Sequence, residues 1–322
     1  MIPGLFEAIL TFFLFVGLGL LLSAGYIAER PENSWLKWLI YSLLALLDAM
    51  FVFVGGIFGL AGLVVGHESL TKAFTIPAAG LTQPGAEVLA AGVPIFGWLT
   101  AAAGILGFML LWQPMRQAAS RWLPIDPARV VHTTALHYGL LAVVSSALTA
   151  LFLPALVRGG DTKALDRLGD GTLLSLFGQF GGFVLLAFLG VGIFVVRNGP
   201  VSLERLGITR RFDVRWWLGA TALSLASAWL VQTGWEALAP DSLSEVNRIS
   251  EALFRPLMQL GLLGAVLAGV VPAISEELVF RGAAQPRLGL LLTALLFMIV
   301  HTQYTISPAL GQILVVALLL GL

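Results

Sequence analysis

The chain has 322 residues, 58% hydrophobic and 11% charged, and its basic and acidic side chains balance at neutral pH. Soluble globular chains average about 25% charged residues, so this composition supplies too little polar surface for a water-soluble fold. The zero net charge excludes a basic footprint for nucleic acid, and the lack of cysteine excludes disulfides and thiolate chemistry.

In chain order, nine apolar segments can be drawn, at about 3–27, 38–66, 91–113, 132–157, 172–196, 216–237, 257–275, 288–305 and 308–322. The first starts at Met1-Ile2-Pro3-Gly4-Leu5-Phe6-Glu7, which has no positive n-region, so it is read as a retained span rather than a cleaved signal. The last is short for a span. Only helices and closed barrels satisfy backbone hydrogen bonds in lipid, and the runs lack the alternation of barrel strands. The expected fold class is therefore all-α, a polytopic transmembrane bundle of about eight to nine membrane helices. Abundant Gly and Ala suit close helix packing. Trp35, Trp38, Trp112, Trp122, Trp216 and Trp217 fall near proposed helix ends, where aromatic rings favour the interface.

Loop charge suggests an orientation. The alternate loops 27–37, 114–131, 197–215 and 276–287 hold twelve Lys and Arg, and the other set holds six. The positive-inside bias places the first set in the cytoplasm and the paired glutamates towards that face. A plasma membrane of a bacterium is the expected location. The chain is divided into an amino-terminal region 1–195, a loop, helix and linker at 196–256, and a carboxyl-terminal helical region 257–322. In the segment 201–211, Ser202 is the expected cap of a short surface helix with Leu203, Leu206 and Ile208 on its apolar side.

Ionisable groups within membrane helices are costly and mark functional sites. Glu276 and Glu277 follow the apolar stretch 262–274, interrupted only by Pro272. Glu277 and Arg281 are spaced i,i+4 and are expected to meet on one helix face. Glu276 is turned by about 100° and has no partner nearby in sequence, which suits a general base. Phe297 and His301 share a face in the next apolar run. A glutamate and a histidine on adjacent antiparallel helices can hold a water between them, the histidine orienting it or stabilising charge. An interfacial salt bridge and a packing histidine remain the plain alternatives.

Glu276-Glu277-x-x-x-Arg281 followed by Phe297-x-x-x-His301 resembles the first two motifs of the CPBP family of intramembrane proteases. That family includes the CAAX prenyl endopeptidases and bacteriocin-processing and immunity proteins. The neighbouring Val271-Pro272-Ala273-Ile274-Ser275 and Phe280-Arg281-Gly282 are also similar, and the resemblance spans about 257–305. It implies a membrane endopeptidase in which Glu276 activates the hydrolytic water, His301 assists, and Glu277 and Arg281 support the site. The family's third motif, a histidine followed four positions later by Asn or Asp, does not occur here. None of the 21 residues after His301 is His, Asn, Asp or Glu, and the chain stops inside the apolar run Ile313–Leu322. A fragment lacking its carboxyl end is the expectation, and its own activity stays open. The implied partners are the lipid bilayer and a membrane-associated protein or peptide substrate. No cofactor is assigned, although a divalent metal such as zinc stays open.

Other motifs carry less. His67-Glu68 starts a zinc motif that Thr71 breaks. Leu168-Gly169-Asp170-Gly171 departs from the aspartyl membrane protease pattern, and there is no Gly-x-Ser-Gly nucleophile. His132 and His137 are i,i+5 and are read as interfacial or packing residues. Glu7 and Asp48 are read as polar groups near an end or between helices; Asp48 falls mid-span with no partner in sequence. A non-catalytic immunity or binding scaffold is the second reading. A transporter using Asp48, Glu276 and His301 is the third, but the inverted repeats it predicts are not seen.

Overall fold

The computed structural model describes residues 4–75, 81–159, 172–209, 213–304 and 307–321. Leu168–Gly171, Arg210 and Arg211 lie outside the described residues. The described chain is helical, with one isolated backbone bridge between Ile193 and Arg197 and no strand among the described residues. The helices in chain order are α1 (Leu5–Ala28), α2 (Ser34–Val64), α3 (His67–Phe74), α4 (Gln83–Leu111), α5 (Gln113–Ala119), α6 (Val130–Gly159) and α7 (Thr172–Gly190). There follow α8 (Gly199–Arg205), α9 (Val214–Leu238), α10 (Pro240–Met258), α11 (Leu262–Glu276), a π-helix (Glu277–Ala284), α12 (Gln285–Val300) and α13 (Pro308–Gly321).

Among the described residues, six helical runs are long and apolar enough to cross a membrane, with α13 as a shorter apolar helix. The difference from nine drawn segments has three sources. The segments drawn at 257–275 and 288–305 belong to one helical run, Leu262–Val300. Helix α9 forms, but it is not among the six. The segment drawn at 308–322 is only the short α13. The outward surface is apolar, with Phe53, Leu63 and Val64 at least 70% exposed, as lipid-facing residues are. All six tryptophans named above are exposed, in keeping with an interfacial belt. The chain is an integral membrane protein.

Packing follows the small residues. Helix α4 lies against α2 so closely that a Cβ on Gly104 would sit 2.6 Å from the Asp48 carbonyl oxygen and 2.8 Å from the Val52 nitrogen. Small side chains permit such backbone approach where lipid gives helices no hydrophobic drive to associate. Helix α1 packs on α7 and α6; α6 in turn packs on α12, and α7 on the π-helix.

One end of the bundle gathers the basic side chains. Arg129 pairs with Glu29 at 2.9 Å, and Arg30 donates to the Val195 carbonyl. Arg205 donates to the Gly282 carbonyl, and Arg287 to the Gly190 carbonyl. These bonds bring four segments together at that end. The opposite end joins Arg158 to Glu245 on the amphipathic α10, in the segment read from sequence as a linker.

Two local expectations are corrected. Asn198 caps α8, its side chain accepting from the Val201 amide at 3.1 Å. Ser202 is buried inside the helix and donates to the Asn198 carbonyl. The apolar side of α8 does not lie free on the surface: Leu206 packs with Ala187, Val191 and Ala283. Residues 276–287, counted with the loops for charge although the Glu277–Arg281 spacing was read on a helix, are helical throughout. The charges of Glu277 and Arg281 are carried within the helix rather than ending it.

Candidate active site

The run Leu262–Val300 is a hairpin. Gly289 has φ 78° and ψ 166°, a conformation essentially confined to glycine, and it breaks the helical path there. Its far side meets Pro124 of the α5–α6 loop, so the tip lies at the arginine-rich end. Contacts across the hairpin pair residues equidistant from the tip: Glu276 with His301, and Phe280 with Phe297. This constant register is antiparallel, as the sequence suggested for the two helices. Twelve residues of helical rise separate His301 from the tip, about 18 Å. Glu276 lies about as far from the start of α11 as from the tip. The carboxylates therefore sit about midway along the first leg of the hairpin.

The two glutamates point to different partners. Glu276 Oε2 lies 3.9 Å from His301 Nε2, and both side chains are 17% exposed. Glu277 Oε2 lies 3.8 Å from Arg281 Nε. That contact is an ion pair but too long for a hydrogen bond. The reason is the local coil: the i→i+5 bonding of a π-helix is wider than an α-turn, so a residue four positions on falls short of a full turn. The three guanidinium nitrogens of Arg281 are buried without a hydrogen-bond partner. The guanidinium lies 5.1 Å from the Phe297 ring centroid, close enough for a cation–π contact.

The histidine is oriented by its own helix. Its Nδ1 lies 2.7 Å from the Phe297 carbonyl, which can only accept, so Nδ1 carries the hydrogen. In the neutral ring Nε2 is then a lone-pair acceptor facing Glu276. Phe297 packs at 4.5 Å between ring centroids against His301 and edge-on at 5.1 Å against Phe280. Tyr304, which sequence reasoning missed, stacks nearly parallel to His301 at 6.5 Å. Burial, with a smaller contribution from the Glu276 charge, raises the phenol above its usual range. Its place three residues after His301 was the available signal.

The remaining sequence candidates lie elsewhere. Asp48 and His137 form a second buried pair, Oδ2 to Nε2 3.1 Å, with His137 Nδ1 donating to the Thr133 carbonyl at 2.9 Å. One proton must lie between Nε2 and Oδ2 in either protonation form, so the pair is neutral overall. His132 accepts from the Asp126 amide at 2.7 Å. Glu68 pairs with Lys72 on an exposed face of α3. Neither Asp48 nor the α6 histidines join Glu276. No group of three or more His, Asp or Glu side chains converges on a metal position among the described residues. Glu276 and His301 supply two facing donors, whereas catalytic zinc takes three protein ligands.

Residues 258–322 match a family model described as type II CAAX prenyl endopeptidase Rce1-like. No curated protein and no solved structure matches the chain. The match contains Glu276, Glu277, Arg281, Phe297 and His301, agrees with the CPBP resemblance of the same residues, and so identifies the carboxyl-terminal segment as similar to this protease family.

Proposed function

We propose that the protein is an intramembrane endopeptidase in which Glu276 activates a water against a peptide carbonyl. The observation that carries this reading is the 3.9 Å separation of Glu276 Oε2 and His301 Nε2 inside a membrane bundle. It is too long for a direct hydrogen bond and suited to one bridging water. Glu276 takes a proton from that water as its oxygen adds to the carbonyl carbon. His301, with its Nδ1 hydrogen fixed on Phe297, accepts the water's other hydrogen and aims the lone pair. The tetrahedral oxyanion then collapses, the C–N bond breaks, and the proton held by Glu276 passes to the departing nitrogen. Arg281 holds positive charge beside the site and limits the repulsion between Glu276 and Glu277.

The substrate in this reading is a membrane-associated protein or peptide that reaches the site within the bilayer. The arginine-rich end faces the cytoplasm of a bacterial plasma membrane, following the positive-inside bias. Comparison of new protein termini in membranes expressing the wild type or Glu276→Gln tests the activity. Termini present with the wild type and lost in both Glu276→Gln and His301→Ala support it. Identical termini in all three, at equal protein levels, overturn it.

A further inference from the structure

A cavity of about 500 Å³ lies between the amino-terminal helices and the hairpin. It is bounded by α1, α6, α7, the π-helix and α12, and none of Glu276, Glu277, Arg281 or His301 lines it. On α6 its lining runs from Ala135 to Thr149, fourteen helical steps or about 21 Å. Volume over length, widened by the roughly 1.4 Å radius of a water molecule, gives a mean cross-section of about 54 Å². An α-helix about 10 Å across needs about 80 Å² and cannot enter. An extended peptide would carry unsatisfied backbone groups into an apolar wall, at a cost of several kcal/mol each. A single hydrocarbon chain meets neither objection.

The two ends fix its direction. At the outer end Ser145 and Thr149 are exposed. The helix faces beside them present Leu148, Phe152, Phe177 and Leu185 outward, so the medium at the mouth is bilayer hydrocarbon. At the inner end Arg287 is buried, donating to the Gly190 carbonyl and the Tyr26 hydroxyl. Both of its terminal nitrogens are engaged by these oxygens. We propose that the cavity is a binding site for one acyl tail of a surrounding phospholipid, entering methyl end first between α6 and α7. The tail contacts Phe280, whose edge packs on Phe297 beneath His301. An occupied cavity therefore braces the ring that carries the histidine.

The test uses the whole protein in phosphatidylethanolamine–phosphatidylglycerol vesicles doped with a phosphatidylcholine bearing a diazirine near one tail terminus. After illumination, crosslinked residues are mapped by peptide mass spectrometry. Adducts are expected on Leu18, Ala142 and Leu296 inside the cavity, besides those on the outward Phe152 and Phe177. Ala142→Trp should lower the inner adducts roughly tenfold, the change that about 1.4 kcal/mol of lost binding gives, and leave the outer ones unaltered. Adducts confined to outward residues in the wild type overturn the proposal without need of any variant. Equal inner labelling in a folded Ala142→Trp protein overturns it as well. The readout does not depend on hydrolysis, so failure here is distinct from failure of the peptidase reading.

Discussion

Replacing Gly289 with alanine should pull the candidate site apart. A side chain at φ 78°, ψ 166° enters a region open in practice only to glycine, at a cost of about 1–3 kcal/mol. The Cβ itself has room, meeting Pro124 Cδ at an ordinary 3.4 Å, so the cost is backbone strain rather than a clash. Relief of that strain lies in continuing the helix. A helix running on from Glu276 would carry His301 about 37 Å away, against 3.9 Å in the hairpin. Because the chain has no cysteine, a pair of engineered thiols is unambiguous. Phe280→Cys with Phe297→Cys, at positions whose rings now lie 5.1 Å apart, should crosslink on mild oxidation in vesicles. Adding Gly289→Ala should lower the yield roughly five- to thirtyfold if a cost of about 1–2 kcal/mol falls wholly on the closed hairpin. Equal yield in both proteins, with both folded, would refute the claim that this glycine makes the turn.

Three further outcomes follow from the geometry. Asp48→Ala or His137→Ala leaves one member of a buried pair alone and should cost about 3–5 kcal/mol, whereas Leu at both positions should recover much of it; denaturation in detergent reads this, and unchanged single variants would show that the pair is not buried together. Arg281→Lys keeps the charge but replaces the guanidinium that lies 5.1 Å from the Phe297 ring centroid, and a loss of about 0.5–2 kcal/mol is expected in the same assay. The Tyr304 phenol is raised above the ordinary tyrosine value, so its contribution to stability is complete below that value and is lost as pH rises through the folded value. Tyr304→Phe should flatten the alkaline fall in stability, and an unchanged fall would place the phenol in water.

The helical class was legible because composition alone forbids a soluble chain and the apolar runs lack strand alternation. The separate partners of Glu276 and Glu277 were legible too, since adjacent helix positions face different ways. The form of the helix was not. The i,i+4 spacing joined Glu277 to Arg281 on one helix face, but it could not show that the coil there is a π-helix, which leaves the pair 3.8 Å apart. The hairpin tip was hidden for a related reason: a single glycine turns the chain, so no polar linker announces it. Periodicity also reaches only one helix at a time. It could not join Asp48 to His137, 89 positions on, nor could it choose Asn198 over Ser202 as the cap.

The central claim is that Glu276 delivers a water directly to the scissile carbonyl, and oxygen tracing reads this step. With a substrate identified from the terminus comparison, a single turnover by excess enzyme is run in water enriched in ¹⁸O. Direct attack puts one ¹⁸O into the new carboxylate of the product and none into the side chain of Glu276, and Glu276→Gln yields no labelled product. Label found in Glu276 with an unlabelled product would mean that the carboxylate itself attacks. Labelled product made at the wild-type rate by Glu276→Gln would remove Glu276 from the chemistry altogether.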